Sequence, residues 1–491
     1  MKIHILFRFK YPNLIVILLM SLTVVACNNF LDVNTDPDSP SESAVSENVL
    51  LPGIEGAISF NLVGGYPARY PNYWIGQLSS SADAPTAETF NIFPADVNNT
   101  WTYDIYTNSL KNDILLMNLA EQNKNYQYLG ISKVLAAQIL AVTTDLWGDI
   151  PWTEAFKFPD ITKPKFDSQQ SIYKEIFRLI NEGIADLQNT TSQKRTPRSD
   201  DLLYQGQKNS WIKFAYTLKA RYSLRLTYAP GTTGVAQADS ALNALSEGFG
   251  SNADDADFQY YNKTGNENPW YQWGIKWTTA YANTFMLNLM NKNADPRIKL
   301  YLSPAENDGS YVGHRNGNAI NPAGSVSVVV GTDKNGNDLL NYITQESPLS
   351  WITFAEAEFI AAEAYAWKSD YVNAKKALDA AITANLSKNG FPSDTISAFL
   401  SRLGALPTSF EAAQQMIIEQ KYIADFLSLE NWNDYRRTGY PGVSASDTDN
   451  PSHTNIPLRF MYSSDVLLDN AENMPTVDWL KDRLWWDGKN K

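Results

Sequence analysis

Glu356, Glu358 and Glu363 fall within one short stretch, WITFAEAEFIAAEAYAW (Trp351 to Trp367), and the seven-residue step from Glu356 to Glu363 puts both carboxylates on one helical face. Two such carboxylates are the raw material of a general acid and base. They are equally what buried arginines seek, and Arg221, Arg225, Arg436 and Arg437 stand in other helix-like stretches. Nothing beside the glutamates supplies a nucleophile or a metal ligand, so structural ion pairs between helices are the better reading.

Other catalytic signatures are scarce. Apart from His4, the only histidines are His314 and His453, far apart and outside any HExxH or paired metal-ligand spacing. The chain has neither a P-loop nor a G-x-S-x-G elbow. GFGSNA (Gly248 to Ala253) imitates a dinucleotide loop but follows a helix where that motif needs a strand, so it reads as a helix stop. DKNGND (Asp333 to Asp338) begins like a calcium loop, yet its sixth position is Asp338 instead of glycine and its twelfth, Thr344, is no acid; it reads as a turn. No enzyme activity, metal or cofactor is expected.

Aromatic residues are the surplus that carries information: 14 Trp and 26 Tyr. Two loop-like stretches are dense in them, ARYPNYW (Ala68 to Trp74) and NPWYQWGIKW (Asn268 to Trp277). A sugar ring has an apolar C–H face edged by hydroxyls, so a binder needs flat aromatic platforms with amide, guanidinium or carboxylate groups at their rims. Arg69, Tyr70, Tyr73 and Trp74, with Asn72, offer that mixture, and so do Trp270, Tyr271 and Trp273, with Asn268 and Gln272. Packing is the competing role for any single ring. Trp101, Trp147, Trp211, Trp351 and Trp367 are assigned to the core, and Trp485 and Trp486 to pinning the carboxyl end.

The elements that must position these groups are mostly helical. Leu129 to Trp147 is rich in aliphatics and alanine, and Ser171 to Leu187 repeats apolar residues at spacings of three and four. Trp211 to Thr227 and Ala236 to Leu245 follow, then a pair, Trp351 to Trp367 and Tyr371 to Leu386, joined by Lys-Ser-Asp. Alanines at the crossing points suit either a tetratricopeptide-like pair or a plain helical hairpin; no regular 34-residue repeat runs along the chain. Between Phe249 and Val330 the chain turns loop-rich, with a helix expected at Thr279 to Asn291 and a minor hairpin at Val326 to Val330.

At the amino end, Lys2, Arg8 and Lys10 precede the uncharged run Leu14 to Ala26, the layout of a secretory signal. The run is too short to span a bilayer, which needs about 20 apolar residues, and no comparable run is apparent downstream. Val24, Val25, Ala26 and Cys27 match a bacterial lipobox, and Cys27 is the only cysteine in 491 residues. The reading is a signal over residues 1 to 26, lipidation at Cys27, a polar tether over 27 to 47 and one globular binding domain over 48 to 491. Removing the signal leaves 37 Lys and Arg against 53 Asp and Glu, a balance ill suited to nucleic acid or anionic headgroups. Disulfides are excluded.

Seven stretches in order resemble the SusD-like (SusD/RagB) outer-membrane nutrient-binding lipoproteins. They are the lipobox with its NTDPD lead-in, LWGDIPWTEAF (Leu146 to Phe156), WIKFAYTLKARYSLRL (Trp211 to Leu226) and ADPRIKLYL (Ala294 to Leu302), then WITFAEAEFIAAEAYAW, NWNDYRRTGYP (Asn431 to Pro441) and IPLRFMYSSD (Ile456 to Asp465). The resemblance implies a mainly α fold, tetratricopeptide-like pairs on one side and a loop-rich ligand face with minor β hairpins on the other. It implies a lid-like partnership with a TonB-dependent, SusC-like transporter, and a glycan or an oligopeptide as cargo. Surface display is implied by the family and not by the tether: acidic or lysine-rich residues often follow the cysteine in that family, whereas here Asn28 and Asn29 follow and the first acid is Asp32. A surface glycoside hydrolase is the remaining alternative and lacks a catalytic constellation.

Overall fold

The computed structural model describes residues 45–80, 87–192, 195–276, 279–320, 322–333, 335–339 and 341–489. The chain divides into two units, Met1–Ser46 and Glu47–Lys491. Of the first only Val45 and Ser46 are described, so the signal, the lipobox with Cys27 and most of the tether lie outside the described residues.

The second unit is built from consecutive helices that fold back on one another. α1 (Glu47–Ala57) opens it and runs into a π-helical turn, Ile58–Val63; α2 (Tyr66–Trp74) follows, and a second π-helical stretch, Asn99–Lys111, leads straight into α3 (Asn112–Gln122). α4 (Tyr126–Trp147) is long and apolar enough to cross a membrane, a run the composition reading passed over, but it is a core helix buried along most of its length. Its partner α5 (Gln169–Gln188) is amphipathic, with Ile172, Ile176, Leu179, Ile180 and Leu187 buried on one face and Ser168 capping the first turn. The two meet at paired glycines: a Cβ on Gly130 would sit 2.7 Å from the Gly183 carbonyl oxygen, and one on Gly183 would sit 2.9 Å from that of Gly130. Backbones so close leave no room for a methyl group.

α6 (Lys208–Arg225) and α7 (Gly234–Leu245) form the next pair. α7 lays Ala238, Ala241 and Ala244 against Ile360 and Ala364 of α11 (Phe354–Trp367), which pairs in turn with α12 (Tyr371–Lys388). Thr353 caps α11 by accepting from the Glu356 amide at 3.0 Å, and Asp370 caps α12 by accepting from Asn373 at 3.1 Å. Small side chains at the crossings and a three-residue turn give the close stacking of a tetratricopeptide-like pair. α13 (Ser393–Leu403), α14 (Phe410–Ala424) and α15 (Glu430–Thr438) complete the helical side.

A chain of buried ions ties these helices together, and it corrects the expected pairing in detail. Arg221 grips Glu356 and Arg437 grips Glu363, as the helix-pairing reading asks. Arg225 turns instead to Asp145 and Glu430. Among the described residues Arg436 has no carboxylate partner; its guanidinium lies 3.4 Å from the Trp432 ring centroid and donates to the Asp145 and Leu458 carbonyls and to Asn433. A planar cation fits between an aromatic face and backbone oxygens without an acid.

The other side is irregular, stiffened by short antiparallel strands. β1 (Leu78–Ser79), β3 (Ala280–Ala282), β4 (Val328–Thr332) and β5 (Asp338–Leu339) make one sheet in the order β1-β3-β4-β5; β2 (Asp257–Phe258) pairs with β6 (Leu349–Ser350). DKNGND is the β4–β5 hairpin loop, Asp333 accepting from the amides of Asn335 and Asn337 at 2.8 Å each. The helix expected from Thr279 starts later, as α9 (Thr284–Lys292), because Ala280–Ala282 joins the sheet and the Asn283 side chain then caps the helix, accepting from Phe285 at 2.9 Å. α8 (Pro269–Lys276), α10 (Ile298–Tyr301) and α16 (Ser464–Asp469) are the short helices of this side. Trp486 is fully buried, its indole N–H on Asp145, so the carboxyl end is pinned as expected.

Candidate ligand-binding site

Both aromatic stretches are helical where loops were expected. ARYPNYW lies in α2, whose Pro67 sits in the first turn, where proline costs no hydrogen bond. NPWYQWGIKW forms α8, opened by Pro269 and capped by Asn268, whose Oδ1 accepts from Trp270 at 2.8 Å and Tyr271 at 3.3 Å. Trp277 falls outside the described residues. Residues that punctuate loops are here the start signals of short helices.

The two stretches meet through Arg69. Its Nε donates to the Gly64 carbonyl and its Nη2 to the Pro269 carbonyl, each at 3.0 Å. The guanidinium carbon lies 5.5 Å from the Trp273 ring centroid and 6.0 Å from that of Trp270. Trp270 and Trp273 pack edge to face at 5.8 Å, and the Tyr73 ring meets Trp273 edge-on at 6.0 Å. On the next turn of α2, Tyr66 and Tyr70 stack with centroids 3.7 Å apart.

The seven candidate residues divide by accessibility. Trp74 is 1% exposed; its ring packs on Trp432 and Phe460 and its N–H donates to the Ala87 carbonyl at 2.9 Å. Tyr73 is buried beneath Trp273, Trp270 is 2% exposed, and Tyr271 is buried with its hydroxyl on Asp338 at 2.7 Å, tying α8 to β5. Trp74 is therefore a core residue, and Tyr73, Trp270 and Tyr271 form the backing of the wall. Arg69, Tyr70 and Trp273 are half-buried and keep part of their surface open.

Charge at this surface is set by burial. Burial pushes Arg69 down to about 10, opposed by Tyr73, Asp104 and Tyr260, and among the described residues no acid lies within ion-pairing distance of it. Burial pushes Asp104 up to about 6, against the pull of Thr100 and Arg69. Asp104 was not singled out in the sequence: it belongs to the polar π-helical stretch Asn99–Lys111, where no regular apolar period marks a face. Such a surface offers aromatic edges, a guanidinium and a titrating carboxyl, which stack on and hydrogen-bond to a polyol.

Two of the three glutamates are committed to the fold. Glu356 and Glu363 are buried inside the ion chain with their oxygens occupied by arginine. His314 lies elsewhere, its Nδ1 2.7 Å from the Ser79 hydroxyl, and His453 packs edge-on against Trp479.

Residues 68–463 match a family model, SusD-like_2, described as starch-binding and associating with the outer membrane. Solved structures share the fold. A Bacteroidetes SusD-like protein superposes with a TM-score of 0.76 at 18% identity, over 91% of this chain and 100% of that one. A SusD/RagB family protein from Bacteroides thetaiotaomicron gives 0.71 at 24% identity, over 90% and 99%. A chitin-binding SusD homologue from Flavobacterium johnsoniae gives 0.72 at 20% identity, over 90% and 99%. No curated protein matches the chain by sequence.

Proposed function

Since the chain belongs to the SusD-like family, we propose that it is a glycan-capturing protein without catalytic activity, and that its cargo rests on the wall made by α2 and α8. The observation that carries this reading is Arg69, which donates across to Pro269 and sits against Trp273. It joins the two aromatic stretches into one surface with three partly open side chains. The family description, starch-binding and association with the outer membrane, supports a glycan and a membrane setting. The chitin-binding SusD homologue of the same fold supports the same ligand class.

In this proposal Trp273 and Tyr70 offer rings to sugar C–H faces while Arg69 and Asp104 bond hydroxyls. Multi-point stacking holds a chain weakly enough to release it. Cys27 carries lipid that anchors the protein in the outer membrane, facing outward, and a SusC-like TonB-dependent transporter receives the cargo.

Affinity electrophoresis through gels containing starch, chitin derivatives or other polysaccharides tests the reading. The unsubstituted protein is retarded by at least one, and Trp273→Ala with Arg69→Ala restores free mobility at an unchanged circular dichroism spectrum. Equal retardation of the double variant sinks the site. Tight binding to a peptide mixture with no glycan retardation moves the cargo to oligopeptides, and shortened glycan products reveal a hydrolase.

A further inference from the structure

Trp270 also lines a cavity of about 360 Å³, walled by the ends of α12 and α14 and by the chain on either side of β6. Four aromatic side chains contribute to the wall: Trp270, Tyr342, Trp351 and Phe426. Its volume lies at the lower end of the range for small-molecule sites, about 300 to 1,000 Å³.

The charged groups around it are already committed. Lys388 donates to Asp255 at 2.7 Å, Asp257 at 2.8 Å and Ser350 at 3.1 Å, which uses all three of its hydrogens. Glu356 is held by Arg221. The Asn268 side chain donates to the Ser347 carbonyl and caps α8.

Three lining residues end in buried polar atoms that meet no hydrogen-bond partner among the described residues. Trp270 Nε1 and Trp351 Nε1 donate to nothing, and Asp425 Oδ2 accepts no hydrogen bond, its nearest cation being Lys421 Nζ at 3.9 Å. Trp270 and Trp351 are 2% and 4% exposed. Buried donors and acceptors are nearly always met, so three among the residues of one cavity call for an occupant. Burial, with Glu356 nearby, pushes the Asp425 carboxyl well above the ordinary range, against the pull of Lys421 and Arg221.

We propose that this cavity binds one neutral sugar ring, its C–H face on the aromatic wall and its hydroxyls on the two indole N–H groups and the Asp425 carboxyl. Among the described residues no uncommitted cation is offered to a uronate or a phosphate, and an apolar guest would leave the three polar atoms unmet. The inference rests on the reading of the chain as a glycan binder. It adds a compartment that admits a single unit, apart from the α2–α8 wall that receives a polymer.

Isothermal titration of the full chain in detergent with D-glucose, D-galactose, D-xylose, N-acetyl-D-glucosamine and, as the anionic comparator, D-galacturonate tests it. At least one neutral sugar binds one-to-one in the millimolar range or tighter, and galacturonate gives no saturable heat. Trp351→Phe keeps the ring but removes the N–H and weakens that sugar about tenfold. Ala355→Leu narrows the cavity and abolishes binding, with melting temperature checked for both variants. Polysaccharide retardation by the α2–α8 wall is unchanged in each.

Refusal of every neutral sugar, binding indifferent to both variants, or soaked crystals with ordered water alone in the cavity overturns the proposal. Polymer held and monosaccharide refused removes the cavity assignment alone; monosaccharide bound and polymer refused removes the surface assignment alone.

Discussion

Arg221 holds Glu356 by both carboxylate oxygens, Nε to Oε1 at 2.8 Å and Nη2 to Oε2 at 2.6 Å, where α6 crosses α11. Lys421 reaches the same carboxylate at 3.5 Å and Asp434 at 2.8 Å, and Asp434 passes the contact on to Arg437 at 2.9 Å. Four helices, α6, α11, α14 and α15, are thus tied by charges with almost no access to water. A buried pair adds little over an apolar pair, but half of one is costly.

Arg221→Ala should therefore destabilise the fold by about 3 to 5 kcal/mol, because the buried Glu356 loses both bonds from the guanidinium and keeps only the longer contact to Lys421 at 3.5 Å. Arg221→Met combined with Glu356→Leu should recover much of that loss. Urea unfolding of the single and double variants measures both, and an Arg221→Ala protein as stable as the parent would remove the ion chain from the stability of the fold.

Asp104 gives the candidate wall a pH dependence. Its folded-state value of about 6 lies above the ordinary carboxylate range, so the folded protein holds the proton more tightly than the unfolded chain. That contribution is complete below about pH 4 and is lost as pH rises through about 6. Asp104→Asn stays neutral throughout and should gain about 1 to 2 kcal/mol at pH 8, discounted because the carboxyl is partly solvated, and nothing at pH 3. Thermal melts of the two proteins across that range should converge at the acid end.

Trp270 and Trp273 are neighbours on α8 with different duties. Trp270→Ala empties a buried site and should cost about 3 to 5 kcal/mol, whereas the half-open Trp273→Ala should cost less than about 2 kcal/mol. Denaturant midpoints separate them. Equal costs would mean that the open face of Trp273 is no more available to a ligand than Trp270.

Gly130 and Gly183 let α4 and α5 touch backbone to backbone. Alanine at either position should destabilise by about 1 to 3 kcal/mol despite its better helix propensity, since the added methyl meets a carbonyl oxygen below 3 Å. A gain in melting temperature for Gly130→Ala would mean that the helices separate easily.

The helical side was legible because its signals are periodic. Ser171 to Leu187 lies within the observed Gln169–Gln188, and Tyr371 to Leu386 within Tyr371–Lys388. The acid-arginine theme was legible too, though not which arginine meets which acid. Its exceptions depend on distance along the chain: nothing near Arg225 announces Asp145, 80 residues away, or Glu430, 205 residues away.

The ligand side was harder to read because helix starts and loops use the same residues. Both stretches read as loop-like, yet Pro67 and Pro269 stand in the first turns of α2 and α8. Aromatic density marked the right stretches, but burial is decided by what packs behind each ring, which no local pattern encodes. Asp104 carried no signal at all.

The bond from Arg69 to Pro269 spans 200 residues. Each half of the wall is made at a different moment of synthesis, so the surface has no existence on a partial chain. A protein cut anywhere between the two would keep α2 and its tyrosines yet lose the face that α8 presents to them.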